Sequence, residues 1–335
     1  MHPTAHPARR SRRMRGMTLV ELMVGLALGL LMTTALLLLF ANASANGSNL
    51  ARAGAHIENG RYVSDLLRDE LRMAGYYGEV AVANVEWDAP DPCTLVPTGW
   101  SGAPLTLPTP VAGYDATEVL PCLTRRKAGT HAIVVRRLEP DAVDPAALPP
   151  GNARHHVQYS HCANDPPATA LVFGVQPASF SLRTRDCAAA NRVRAYVSRI
   201  YYVADCYRCG ERGDDDPTLK RVELLGGRLV TTALADGVDD LRFEYGFDTD
   251  GNGSPDVYQP GRGAGATATW SNVMAVKVHL ITRALTRSDS AALTGARRFT
   301  LGGLGTVVTP DDGHPRNVYS GVVRLMNPSG ARELQ

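Results

Sequence analysis

From Met17 to Phe40 every residue is apolar or small except Glu21. That run is 24 residues long, and a bilayer span needs about 20. A carboxylate four residues into such a run is costly in hydrocarbon and asks for a functional reason. The pattern then changes period. Leu50, Ala53, Ile57, Gly60, Val63, Leu67, Leu71 and Ala74 recur in steps of three and four. This predicts an amphipathic helix over 46–76 with one apolar stripe. Arg52, Glu58, Asp65, Arg68, Asp69 and Arg72 fall largely elsewhere, and Gly75 and Gly78 predict its end. Span and stripe together predict one helix of about 60 residues, roughly 90 Å at 1.5 Å per residue. The polar stretch Asn42–Ser48 is the place for a local bend.

Beyond residue 79 the signals are those of strands. Candidates lie at 80–87, 117–123, 130–137, 169–175 and 193–204, and the Pro- and Gly-rich stretches 88–115 and 138–168 read as irregular insertions. The pattern sharpens from Thr218. Thr218–Leu225 and Arg228–Leu234 flank Gly226-Gly227, which predicts a hairpin with a primed turn. Val238, Leu241, Phe243 and Tyr245 partly alternate, Trp270–Leu285 is the clearest strand, and Asn317–Leu325 is the last. The fold class expected is α+β: a long N-terminal helix, transmembrane then amphipathic, packed on an antiparallel β-sheet head with long loop insertions. With 20% charged residues, 6% aromatics, 32 Gly and 22 Pro, composition favours a loop-rich β domain over a helical bundle.

Charge is uneven. Arg9, Arg10, Arg12, Arg13 and Arg15 precede Gly16, with no acid among residues 1–16; the remainder holds 30 basic and 33 acidic residues, a net of −3. The total gives no reason to expect a nucleic-acid partner. The arginines hold the leader in the cytoplasm and place the head outside it. All six cysteines lie beyond the span: Cys93, Cys122, Cys162, Cys187, Cys206 and Cys209. An even count in an exported domain reads as disulfides. Sequence alone cannot choose among the 15 connectivities, and pairing of neighbours (Cys93–Cys122, Cys162–Cys187, Cys206–Cys209) is the simplest.

A secretory signal peptide would have a shorter apolar region with cleavage after it; Ala41, Ala43 and Ala45 could supply such a site, but the run is too long and carries Glu21. A plain signal anchor gives no reason for Glu21 or for Gly16 at the boundary. A basic leader ending in Gly16, an apolar run opening at Met17 and a Glu fifth in that run resemble the class III signal of type IV prepilins. That family usually has Phe after the cut, where this chain has Met17. The resemblance implies cleavage by a prepilin peptidase between Gly16 and Met17, N-methylation of Met17, and retention of the apolar run. It also implies that Glu21 pairs with the N-terminal ammonium of a neighbouring subunit. The segments expected are a leader at 1–16, a transmembrane helix at 17–40, its amphipathic continuation at 41–78 and a periplasmic head at 79–335.

The head narrows the resemblance. A helix end LRDELRMAGYYG (67–78) is followed by ADGVDDLRFEYGFDTDGNGSPD (235–256), WSNVMAVKVHLITR (270–283) and RNVYSGVVRLMN (316–327). This order is similar to the PilW family of type IV pilus minor pilins. The likeness covers 14–80 and 218–327, about half the chain, and fades over 88–215. It implies a structural protein without a catalytic site. Such a protein sits in the inner membrane, joins the pilus and helps initiate assembly in a tip or priming complex. The partners implied are other minor pilins, the major pilin, the prepilin peptidase and the inner-membrane assembly platform. The runner-up is the J-type minor pseudopilin of type II secretion, usually a shorter chain without the Asp-rich loop. An exported enzyme on a signal anchor is a third class, but no G-x-S-x-G or ordered triad appears.

Three further motifs bear on chemistry. Asp248, Asp250, Asn252 and Gly253 match the opening of an EF-hand loop, with Asp256 ninth and Gln259 where the closing Glu would stand. This points to calcium held weakly or to a polar turn. Cys206-Tyr-Arg-Cys209 is half a zinc motif, with His155, His156, His161 and Cys162 distant. A disulfide is the simpler reading, and no βαβ context supports a thioredoxin-like role. Gly261–Gly265 lacks the ending of a phosphate loop and reads as a flexible loop.

Overall fold

The computed structural model describes residues 16–80, 85–151, 153–166, 170–262, 269–288 and 295–334; the side chains of 45, 46, 48–53 and 55 are left aside. The arginine leader therefore lies outside the described residues, as do the side chains of the stripe positions Leu50 and Ala53. Two compact units emerge, Met1–Ala53 and Gly54–Gln335. Helix α1 is assigned over Leu19–Met73, 55 residues without a break at Asn42–Ser48.

The head opens with short strands β1 (Glu86–Asp88), β2 (Ser101–Gly102) and β3 (Leu105–Pro108), which form a small sheet ordered β1-β3-β2. Then come β4 (Val111–Tyr114), β5 (Ala132–Val143), β6 (His156–Tyr159), β7 (Leu171–Gly174), β8 (Val193–Ala204), β9 (Thr218–Leu225) and β10 (Arg228–Asp236). They make one seven-stranded antiparallel sheet, with β10-β9-β8-β5-β4 as its path and β6 and β7 joined through β8. A second sheet, ordered β12-β11-β13-β16, is built from β11 (Val238–Phe247), β12 (Val257–Gln259), β13 (Val273–Arg283) and β16 (Arg316–Arg324). Between β13 and β16 lies the hairpin of β14 (Arg298–Thr300) and β15 (Thr306–Val308), and a short helix α2 (Met326–Glu333) ends the chain.

The sequence-expected stripe builds the main core. Val63, Leu67, Leu71 and Ala74 are buried against both sheets, among them Ile133, Tyr201 and Val203 from one and Leu241, Phe243, Tyr245, Val276 and Leu280 from the other. Full burial of each large apolar side chain is worth roughly 1.5–3 kcal/mol. The stripe departs from expectation at its start. Ile57 is 42% exposed and His56, 8% exposed, takes the inward position. Counting back from Gly60, the step of four leads to His56, whose Nε2 lies 2.8 Å from Thr282 Oγ1. On the flank, Arg199 of β8 pairs with Glu70 of α1 at 2.6 Å and with Glu223 of β9 at 3.1 Å.

The β9–β10 hairpin forms as expected, with Leu225 opposite Arg228. Gly226 and Gly227 take φ of +58° and +74°, the pair of positive values a type I′ turn demands. The imperfect alternation of β11 has a physical cause. Its register with β13 shifts between Val238 and Asp240, a bulge that resets the inward phase from Val238 to Leu241.

Three expectations need correction. Residues 117–123 are not a strand. Asp115 accepts hydrogen bonds from the Thr117 N–H (2.7 Å) and hydroxyl (2.6 Å), curling the chain into a turn that leaves Val119 88% exposed. The stretch 88–115 is not a plain loop, because it contains β2, β3 and β4. The stretch 138–168 likewise holds the end of β5 and all of β6. Here the Gly and Pro residues mark turns between very short strands. Of the candidate 80–87, only Glu86 and Trp87 are strand among the described residues, as the start of β1, and 81–84 lie outside them. The first insertion is tied down by Arg136, fully buried, which donates to the carbonyls of Pro90 (2.7 Å) and Thr109 (3.3 Å). The three disulfides are Cys93–Cys122, Cys162–Cys187 and Cys206–Cys209, with Cα separations of 5.4, 5.0 and 5.4 Å.

Candidate functional site

In the N-terminal unit Gly16, Met17 and Thr18 precede the helix without helical structure. Thr18 starts it: its Oγ1 accepts from the Glu21 N–H at 3.2 Å and its carbonyl from the Leu22 N–H at 3.1 Å. Thr18-Leu-Val-Glu21 therefore has the spacing of a capping box, a signal the reading of Glu21 as a lone membrane charge overlooked. A carboxylate in the first turn also faces the positive end of the helix dipole. Among the described residues the Glu21 carboxylate has no partner of its own. Leu19–Ser44 is long and apolar enough to cross a membrane, with mean hydropathy 2.4 and none of it buried. Gly16 and Met17 are exposed at its start.

In the head, the Asp-rich loop joins β11 to β12. Oxygens of Asp248, Asp250 and Asp256 converge within 4.8 Å. Asp248 is buried and heavily engaged. Its Oδ1 accepts from Gly251 N at 2.7 Å, and its Oδ2 from Gly253 N at 2.9 Å and from Arg332 Nη1 at 2.8 Å. Burial pushes its carboxyl upward, but Arg332 and the two backbone donors outweigh that and hold it below the usual range. Asp256 binds the Thr249 N–H and hydroxyl, both at 2.7 Å, and Asn252 donates its side-chain amide to Asp250 at 2.9 Å. The four ligand candidates are thus brought together, and Arg332 of α2 supplies a positive charge that sequence spacing did not connect to the loop. Helix α2 itself was not expected from the sequence.

The CxxC cysteines are bonded to each other and Cys162 to Cys187, so none of them offers a thiolate to zinc. His155 stacks on Phe173, His156 binds the Arg154 carbonyl, and His161 lies 3.5 Å from Glu79. The Gly261–Gly265 run lies largely outside the described residues.

Residues 200–327 match the family model of the type IV pilus-assembly protein W, and residues 11–37 match the prokaryotic N-terminal methylation motif. Over these residues the chain is similar to the PilW family and carries the prepilin type of N-terminus. The PilW match runs from the second half of β8 through β16 into α2. It therefore contains the whole second sheet and the Asp-rich loop, and it leaves out the insertions. The methylation motif holds Gly16, Met17 and Glu21. None of the curated proteins and none of the solved structures matches the chain. A type IV pilus-related, structural role follows from the two family matches, and an inner-membrane anchor fits the apolar helix.

Proposed function

We propose that this PilW-type chain is a minor pilin that helps initiate type IV pilus assembly within a tip or priming complex. Prepilin peptidase cuts between Gly16 and Met17, leaving Met17 to be N-methylated. Before incorporation the protein spans the inner membrane once, with its N-terminus cytoplasmic and its head periplasmic. Other minor pilins, the major pilin and the inner-membrane assembly platform are its partners. The observation that carries this reading is one carboxylate, Glu21, in the first turn of an exposed apolar helix directly after Gly16. In hydrocarbon, Glu21 and the new ammonium of a neighbour's Met17 each lower the other's desolvation cost.

Mass spectrometry of the membrane-extracted protein should find a chain starting at Met17 and carrying a methyl group. A terminus near Ala43–Asn46 would overturn the reading. Glu21→Ala should insert and fold normally yet fail to support piliation as the sole copy. Normal pili from that strain would refute the pairing.

The Asp248–Asp256 loop is proposed to take calcium weakly. Its convergent carboxylates suit a hard cation, while Arg332 competes for Asp248. Calorimetry on the full-length protein should show binding in the millimolar range, lost in Asp248→Ala/Asp250→Ala and tighter in Arg332→Gln. No heat from wild type or from Arg332→Gln would leave the loop a turn.

A further inference from the structure

The Cys206–Cys209 disulfide differs from the other two in ways that bear on reactivity. It closes a separation of 3 residues, against 29 and 25 for the others. In the chain-entropy account a cross-link stabilises more as its loop lengthens, so this one contributes least to the fold. Its sulfurs are also unequally placed: Cys206 is 1% exposed, whereas Cys209 is open to solvent.

Lys220 of β9 stands beside it. The residue is only 6% exposed, yet among the described residues the one hydrogen-bond acceptor of its ammonium is Cys209 Sγ, at 3.0 Å. A disulfide sulfur is a weak acceptor, and among the described residues no carboxylate comes within hydrogen-bond reach of this partly buried ammonium. Asp214 and Asp205 act on Lys220 only at longer range. Asp214 is occupied by the Tyr207 and Arg208 N–H groups (2.7 and 3.0 Å), and Asp205 by Arg125 (2.8 Å). Burial lowers the Lys220 ammonium below its usual range, with Asp214 and Asp205 opposing. A thiolate on Cys209 would give this ammonium the partner it lacks. The oxidised form leaves the cation poorly satisfied, and the reduced form would satisfy it.

We propose that Cys206–Cys209 is a thiol–disulfide exchange site, with Cys209 as the exposed nucleophile, Cys206 as the buried resolving cysteine and Lys220 as the positioning residue that stabilises the Cys209 thiolate. The partner is an external dithiol. One of its thiolates attacks Cys209 Sγ, the Cys206–Cys209 bond breaks, and Cys206 leaves and takes up a proton. The partner's second thiolate then attacks the mixed disulfide. Cys209 leaves as a thiolate held by Lys220, and the partner departs oxidised. Two electrons pass to the protein, and the reverse reaction begins with Cys209 attacking an external disulfide.

The test uses the full-length protein in detergent, equilibrated in graded dithiothreitol, acid-quenched, alkylated and mapped by peptide mass. Cys206 and Cys209 should become alkylated at reductant levels at least about tenfold below those that open the other two bridges. In the reduced site, iodoacetamide labelling of Cys209 should reach half its maximal rate below the ordinary thiol value of about 8.5. Lys220→Met, close in shape, should raise that midpoint by about one pH unit or more, and Lys220→Arg should restore it. Opening of all three bridges together, or a wild-type midpoint at or above the ordinary value, overturns the proposal. So does a midpoint unmoved by Lys220→Met. The wild-type measurements decide the matter even if that variant fails to fold.

Discussion

Helix α1 contains two stretches with the same backbone and opposite surroundings. Over Leu19–Ser44 the large apolar side chains stand in the open, Leu30 and Leu37 among them. Over Val63–Ala74 those of the stripe, Val63, Leu67 and Leu71, are sealed between two sheets. The difference lies in how apolarity is distributed. A helix apolar on every side has no single face to give a protein core, and lipid or neighbouring apolar helices are its solvent. A helix with one stripe buries that stripe and leaves the rest in water. Leucine therefore has two jobs in one element: in the head it is a packing part with shape requirements, and in the span it supplies hydrophobicity.

The largest expected effect tests that division directly. Leu67→Ala or Leu71→Ala should each destabilise the head by roughly 2–5 kcal/mol, because each leaves a cavity in a close-packed core. Leu30→Ala should leave unfolding of the head unchanged. Thermal melts of the full-length protein in detergent, followed by near-ultraviolet circular dichroism, would show it. Equal shifts from Leu30→Ala and Leu67→Ala would erase the contrast.

A glycine pair sharpens it. A Cβ on Gly60 would lie 2.3 Å from the Tyr319 ring, whereas one on Gly29 meets nothing within 4 Å. Gly60→Ala should cost about 1–3 kcal/mol through overpacking, and Gly29→Ala should not move the melting of the head. Gly60→Ala combined with Tyr319→Ala should then lose less than the two single changes added together, since the clash is gone.

Much of this was legible in the chain itself. The span, the stripe from Gly60 onward, the β9–β10 hairpin and the β11–β13 pair all carry strong local periodicity or turn chemistry. What stayed hidden depends on partners far away in sequence. The inward turn of His56 needs Thr282, the bend at 117–123 is closed by a cysteine 29 residues upstream, and the tether of Asp248 comes from Arg332. Strands as short as β2 and β4 have no period to detect, and the Pro and Gly around them read as loop. The Thr18 cap was readable, since Thr-x-x-Glu opens the apolar run, but the oddity of a charge in hydrocarbon drew the reading elsewhere.

The smallest effect concerns His56, the first inward-facing residue of the stripe among the described side chains. His56 Nε2 lies 2.8 Å from Thr282 Oγ1, and Nδ1 lies 3.4 Å from the Asn317 amide nitrogen. An amide nitrogen donates, so Nδ1 must accept, and the ring is neutral. Burial lowers its pKa below the ordinary 6.5, with a hydrogen bond at Thr282 opposing. The unfolded chain therefore takes up this proton first as pH falls. The stabilising contribution is complete above pH 6.5 and declines as pH drops from there toward the folded-state value. His56→Gln should flatten that part of the stability–pH curve and cost about 1 kcal/mol at pH 7.5, the order of one hydrogen bond. Ile57→Gln, one residue along and on the exposed side, should do neither. Urea unfolding of the three proteins between pH 5 and pH 7.5 measures both slopes. If Ile57→Gln flattens the curve as much as His56→Gln does, the inward face of the helix begins elsewhere than His56.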